Sequence, residues 1–304
     1  MFFSSLLILI FHLWINIFNR TSNLYNIEEF IRTTCFIGVD IFFFLSSYSI
    51  AKNNKKNYKD FIISRFKKVY IPYIIFTLIA LFYMNLNFKI FIFNITGINF
   101  FIKGGGSFLW FIPAIIIIYL ILPLYKKIDN KYKLTPLIVL IIWLILTILF
   151  SLYSSYDHLF IFTNRIPIIL LGYYCSKINI FEKMNKKAYF ILMSLLILFG
   201  TIIFYNFRYT NISFINDAFY IFAIPLTLGL ILLIDLIPSN KVINLLGSIT
   251  LEMYAIQMIF GYKITELLLF EQIPLLTNIL TIVIITILSL IVHYILNKVL
   301  RTKN

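Results

Sequence analysis

The chain has 304 residues, 61% of them hydrophobic and 12% charged, with 33 Phe and 20 Tyr. Soluble domains carry about 25% charged residues and disordered chains are poor in aromatics, so both of those classes are excluded and a polytopic helical membrane protein is left. The net charge of +14, from 26 Lys and Arg against 12 Asp and Glu, then points to basic loops facing anionic lipid rather than to nucleic acid.

A membrane-crossing helix needs about 20 mainly apolar residues. Segments that qualify run, in chain order, over 2–19, 35–51, 69–86, 108–125, 134–152, 160–176, 188–206, 218–236, 244–262 and 274–297. None alternates in polarity as a barrel strand does, and no internal repeat of the kind that marks inverted-repeat transporters is visible. The first segment is apolar from Phe2 onward with no small-residue cleavage site after it, so it reads as a retained helix rather than a signal peptide. The fold expected is all-α: a polytopic integral membrane protein of about ten transmembrane helices, forming one membrane-embedded domain over residues 1–304. The connections are too short for an attached soluble domain. In the longest outer one, Gly104-Gly105-Gly106 is either a phosphate cradle or a flexible lead-in, and it lacks the Lys-Ser/Thr ending of a P-loop. Cys35 and Cys175 are too few and too separated for a metal motif or a disulfide framework.

Basic residues set the orientation. The loop 52–68 holds Lys52, Lys55, Lys56, Lys59, Arg65, Lys67 and Lys68, the loop 126–133 holds Lys126, Lys127, Lys131 and Lys133, and 177–187 holds Lys177, Lys183, Lys186 and Lys187. Lys241, Lys298, Arg301 and Lys303 lie on the same side. The alternate loops hold only Arg20, Arg32, Lys89, Lys103, Arg208 and Lys263. Both termini are therefore expected in the cytoplasm, which requires an even number of spans.

Ionisable groups inside a bilayer are costly, so each one that remains is a functional candidate. His12, in the first span, either moves protons to and from a hydroxyl or bonds a neighbouring helix. Asp40 needs a partner: it orients His12 or an arginine, or makes a structural bond between helices. Arg65 and Lys68, spaced i and i+3, share a helix face suited to a phosphate, or are ordinary loop charge. Arg165 lies near the end of its span before Pro167, and either snorkels to the interface or points inward at an anion. Glu252, in a span with Gln257, pairs with Arg165, assists acid–base work or makes a plain interhelical salt bridge. Trp14 and Trp110 read as interfacial residues, and His158 and His293 read as unremarkable positions near span ends.

Several of these residues fall into an order. His12 is followed by the Gly38-Val39-Asp40 to Ser46 stretch, by Arg65 to Pro72, by Leu109-Trp110-Phe111, by Arg165, Pro167 and Gly172, and by Gly247, Thr250 and Tyr254. In this order the chain resembles, over nearly its whole length, the acyltransferase 3 family of integral membrane O-acyltransferases. Four positions depart from the family pattern. Met1 stands where an arginine is usual, so either the true start lies upstream or that group is lacking; Ser47 replaces a second glycine, Lys68 a second arginine and Gln257 a histidine.

The resemblance implies transfer of an acyl group, most simply acetyl, from a cytoplasmic acyl-CoA to a hydroxyl of a cell-surface or secreted glycan. His12 is then the general base, with Asp40 orienting it, and a covalent acyl-histidine is the alternative path. Arg165 or Tyr254 stabilises the oxyanion, Glu252 assists the acid–base work, and Arg65, Lys68 and Trp110 hold the CoA. The partners implied are acyl-CoA, a hydroxyl acceptor and membrane lipid, with no nucleic acid, no metal and no permanently bound cofactor. The location implied is the cell membrane. The rival readings are a transporter or flippase of a glycan or lipid intermediate, using the same buried charges as a path, and a catalytically inactive family member.

Overall fold

The computed structural model describes residues 1–53, 57–152, 158–208, 219–270 and 273–301; Lys55, Lys56 and Lys303 lie outside them. Every regular element among the described residues is helical. The helices are α1 (Phe2–Leu13), α2 (Asn23–Thr34), α3 (Ile37–Lys52), α4 (Tyr58–Arg65), α5 (Ile71–Tyr83), α6 (Phe88–Ile95), α7 (Ile98–Lys103), α8 (Phe111–Lys131) and α9 (Thr135–Leu152). They continue with α10 (Phe160–Thr163), α11 (Ile166–Ile178), α12 (Ile180–Lys183), α13 (Lys186–Arg208), α14 (Phe219–Phe222), α15 (Ile224–Asp235), α16 (Lys241–Ser248), α17 (Thr250–Leu267) and α18 (Pro274–Arg301). A π-helix over Phe66–Tyr70 joins α4 to α5.

Each of the ten expected segments carries a helix, but not every one is long enough to cross a membrane. Among the described residues five stretches qualify by length and composition, Asn23–Lys52, Tyr58–Tyr83, Phe111–Lys131, Lys186–Phe207 and Pro274–Val299, or six if α16 and α17, bent by 53°, count as one. α1 and α15 are apolar but shorter, as is the apolar part of α9. Along α9 and α13, Leu and Ile side chains such as Leu137, Ile138, Leu195 and Leu198 stand exposed, as they do on a helix whose outer face meets lipid.

The first element departs from its expected range of 2–19. α1 stops at Leu13 because side chains take over the backbone bonds that a longer helix would make. Asn278 accepts from the Ile15 N–H at 2.9 Å and donates to the Ile15 carbonyl at 2.8 Å. The Glu28 carboxylate accepts from the Ile17 and Phe18 N–H groups and from Trp14 Nε1, all within 3.0 Å. The third element starts earlier than expected, at Tyr58, and the fourth runs on to Lys131, so much of the basic sequence is helix rather than loop.

The chain forms two compact units, with boundaries inside α3 and α5. Unit 1 comprises Met1–Val39, Leu78–Leu86 and the chain from Pro238; unit 2 comprises Asp40–Thr77 and Asn87–Ile237. In unit 1, α1 runs parallel to α17: Ser5 Oγ donates to Met253 Sδ at 3.5 Å, and eight residues further along both helices Gly261 packs on Leu13. α18 runs antiparallel to α17, with Glu252 beside His293 and Leu268 beside Thr277. In unit 2, α3 is parallel to α11 and α8 is parallel to α11, whereas α13 and α15 are antiparallel, Gly200 meeting Leu226 and Gly229 meeting Ile197.

Candidate active site

Asp40 and Arg165 form an ion pair in unit 2, Arg165 Nε to Asp40 Oδ1 at 2.7 Å, with side chains only 4% and 2% exposed. Arg165 occupies the turn between α10 and α11, where Pro167 is accommodated because a first-turn N–H has no helical partner to lose. Its Nη1 donates to the Ile161 carbonyl, and its guanidinium lies 5.5 Å from the centre of the Trp110 ring. Leu109, fully buried with φ +52, turns the backbone just before Trp110. A left-handed leucine costs about 1–3 kcal/mol, so the packing around that tryptophan holds it in place. Gly172 explains how α3 and α11 approach: a Cβ there would collide with the Phe44 carbonyl and Ser47 Oγ. Of the alternatives open in the sequence, the geometry therefore pairs Arg165 with Asp40 and turns it inward.

The basic end of unit 2 holds a cavity of about 200 Å³ lined in part by Asn53, Tyr58, Phe61, Lys126 and Lys127. Lys126 Nζ donates to the carbonyls of Ala51 and Asn53 at 2.7 and 3.3 Å, at the carboxyl end of α3. Lys127 lies 5.6 Å from the Tyr58 ring centre. Arg65 stacks on Phe61 and Tyr119, at 5.2 and 4.9 Å. Lys68 is exposed within the π-helix, whose wider turn breaks the i, i+3 register of an α-helix. The face that Arg65 and Lys68 share in an α-helix is therefore not continued here. Trp110 is not part of this group. It lies nine residues before Tyr119, about 13 Å along α8, and its charged neighbour is Arg165.

By sequence Lys126, Lys127 and Asp129 fall in a nominal loop, but α8 carries all three. The continuing buried pattern of Leu122, Tyr125 and Asp129 is the helical signal that identifies them. Buried Asp129 accepts from Tyr173, Tyr174 and Lys177 at 3.0, 2.5 and 2.5 Å, a network that fastens α8 to α11. The glycine run also has a structural account. Gly104, at φ +50, packs on the His158 carbonyl where a Cβ would not fit, and His158 Nε2 lies 2.8 Å from the Phe101 carbonyl.

In unit 1, His12 sits in the last turn of α1 rather than midway along a span. The chain around it is clamped by Asn278 and Glu28, by Glu29, which accepts from Asn16 Nδ2 at 2.9 Å, and by Arg32, whose Nη1 reaches the Phe11 carbonyl at 3.5 Å. Tyr254 and Gln257 are buried on α17, and neither amide atom of Gln257 finds a hydrogen-bond partner among the described residues. The observed partner of Glu252 is His293, Oε1 to Nδ1 at 2.7 Å. His293 is thus a residue that sequence reasoning passed over, since a partner on another helix leaves no local signal.

Apolar helices long enough to cross a membrane, with charged side chains fixed among them, define a helical membrane protein with polar chemistry at its core. A family profile described as an acyltransferase domain, that of the acyltransferase 3 family, matches residues 2–298. The chain belongs to the acyltransferase 3 family, and hence to the membrane acyltransferases that move groups other than amino-acyl groups. Comparison with curated proteins and with solved structures gave no match.

Proposed function

We propose that the protein transfers an acyl group, most simply acetyl, from a cytoplasmic acyl-CoA to a hydroxyl of a cell-surface or secreted glycan. The observation that carries this reading is the lysine-lined cavity at the basic end of unit 2. CoA brings a diphosphate and a 3′-phosphate, which call for several cations and for an aromatic surface at the adenine. Lys126, Lys127 and Tyr58 meet that need, with Arg65 on the adjoining Phe61. Lys68 adds long-range attraction from its exposed position. By the excess of basic residues this end faces the cytoplasm, with both termini there and the protein in the cell membrane. Ten spans fit the directions seen within each unit, where segments 1 and 9 run parallel with 10 antiparallel to 9, and segments 2, 4 and 6 run parallel while 7 and 8 are antiparallel.

His12 acts as general base on the acceptor hydroxyl, whose oxygen attacks the thioester carbonyl. The clamp on residues 14–18 fixes the turn of helix that presents His12. Tyr254, buried in the same unit, is the hydroxyl assigned to the developing oxyanion. Asp40 and Arg165, each occupied by the other, serve by holding α3 and α11 in register beneath Trp110.

The test is incubation of the purified full-length protein in nanodiscs with labelled acetyl-CoA and a panel of glycans. Label should pass to a glycan hydroxyl, and His12→Ala should abolish the transfer. Equal turnover by His12→Ala removes the assigned base. Movement of a glycan or lipid intermediate across proteoliposomes with no dependence on acyl-CoA replaces this reading with transport.

A further inference from the structure

Ser248 and His293, which the acyl-transfer reading leaves unused, meet Glu252 at the basic end of unit 1. Ser248 ends α16, and the helix axis turns by 53° before α17 begins. Ser248 Oγ lies 3.4 Å from His293 Nε2, and His293 Nδ1 lies 2.7 Å from Glu252 Oε1. With the carboxylate accepting from Nδ1–H, Nε2 is left as the lone-pair nitrogen facing the serine. The exposures run in the order a nucleophile relay needs. The Ser248 hydroxyl is exposed, the imidazole side chain is 23% exposed, and the orienting carboxylate is 6% exposed. A Cβ on Gly247 would meet nothing within 4 Å, so the approach to Ser248 is open. Beyond the bend, α17 starts at Thr250, with Ile249 at its amino-terminal cap and no side-chain cap. First-turn N–H groups of a helix have no helical acceptor, and those of α17 follow Ser248 closely in the chain, as donors available to an oxyanion.

The helix register keeps this group apart from His12. Ser5 pairs with Met253 on parallel helices, which places Ser248 level with the amino end of α1. Ten residue steps along α1 then separate its first residue, Phe2, from His12, about 15 Å along the axis. The two histidines therefore cannot act on one carbonyl carbon.

We propose that Ser248, His293 and Glu252 form a second acyl-accepting centre, which takes the acyl group of a thioester reaching the basic end. It rests on the reading of acyl-CoA as donor. Ser248 Oγ attacks the thioester carbonyl and forms the new C–O bond, while His293 Nε2 takes the hydroxyl proton. Collapse of the tetrahedral adduct breaks the C–S bond, and the departing thiolate takes that proton from His293. The products are acyl-Ser248 and free CoA thiol, with no change of oxidation state. Water or an acceptor hydroxyl then removes the acyl group by the same steps reversed. At rest the Ser248 hydroxyl donates to the Leu245 carbonyl at 2.7 Å, so a rotation that moves only its hydrogen turns it towards Nε2.

The test uses the purified full-length protein and [1-¹⁴C]acetyl-CoA without acceptor, following released thiol and mapping the label. The expected result is a burst of thiol approaching about one per chain, with a hydroxylamine-labile label on the peptide that carries Ser248. Ser248→Ala removes both, Ser248→Cys retains the label as a thioester, and Glu252→Gln slows the burst by about tenfold or more. If wild type acylates a glycan with no burst and no label at Ser248, the inference is overturned and the proposed function stands. Label at Ser248 with no glycan acylated upholds the inference and overturns the glycan assignment. Absence of both thiol release and transfer overturns both.

Discussion

Replacing Asp40 by Ala strands the Arg165 guanidinium, 2% exposed and 2.7 Å from the carboxylate it loses. With the charge centres about 4 Å apart and an effective dielectric of about 20, the lost attraction is of order 4 kcal/mol. Breaking one partner of a buried pair costs about 3–5 kcal/mol in practice. At about 2–4 °C per kcal/mol for a body of this size, the apparent Tm in detergent should fall by about 6–20 °C. Arg165→Met should cost a similar amount, because it leaves Asp40 buried without its counter-charge. The combination Asp40→Leu with Arg165→Met should recover most of the loss, since two apolar side chains of similar volume need no counter-charge. Size-exclusion melting curves on wild type, Asp40→Leu, Arg165→Met and the double complete the cycle. If the two single losses simply add, within about 0.5 kcal/mol, the pair is not the unit of stability inferred here.

Other substitutions separate binding, positioning and packing. Lys126→Ala with Lys127→Ala should raise KM for acetyl-CoA by about tenfold or more with little change in kcat, and the gap from wild type should narrow with added salt, which screens the attraction the variant has already lost, as steady-state kinetics at two ionic strengths will show. Glu28→Ala should lower kcat by about tenfold with KM for acetyl-CoA nearly unchanged, because it frees the Ile17 and Phe18 N–H groups and Trp14 Nε1. Glu28→Gln, which keeps an acceptor oxygen, should recover part of that loss in the same assay. Gly172→Ala should destabilise by about 1–3 kcal/mol, as its methyl group meets the Phe44 carbonyl, and a melting curve reads this directly.

The residues that the sequence made legible are those whose chemistry conflicts with their surroundings. Asp40, Arg165, Glu252 and Gln257 stand out because each is polar in an apolar run, and all are buried. Their partners are harder to read. Asp40 meets Arg165 across a long stretch of chain, and Glu252 meets His293, a residue that looks ordinary in its own helix. Local pattern carries no information on either pairing. Helix ends were misread for a related reason. Hydrophobicity continues past Leu13, but Asn278 and Glu28 supply tertiary bonds that end α1 there. Conversely, polarity at Lys126 and Lys127 marks the outer side of a helix that continues on its buried side through Tyr125 and Asp129.

The Asp40–Arg165 pair also bears on how the chain enters its membrane. An arginine costs about 2.5–3.5 kcal/mol at the centre of an inserting helix and less towards its end, and Arg165 lies at the break between α10 and α11, a short, interrupted segment with little apolar length to offset that cost. Asp40 is synthesised long before Arg165. In the folded protein Asp40 supplies the counter-charge, so Arg165 is buried as half of a neutral pair. The ion pair can form only once the later segment has been made, so a burial that neither charge tolerates alone is completed by the second of them.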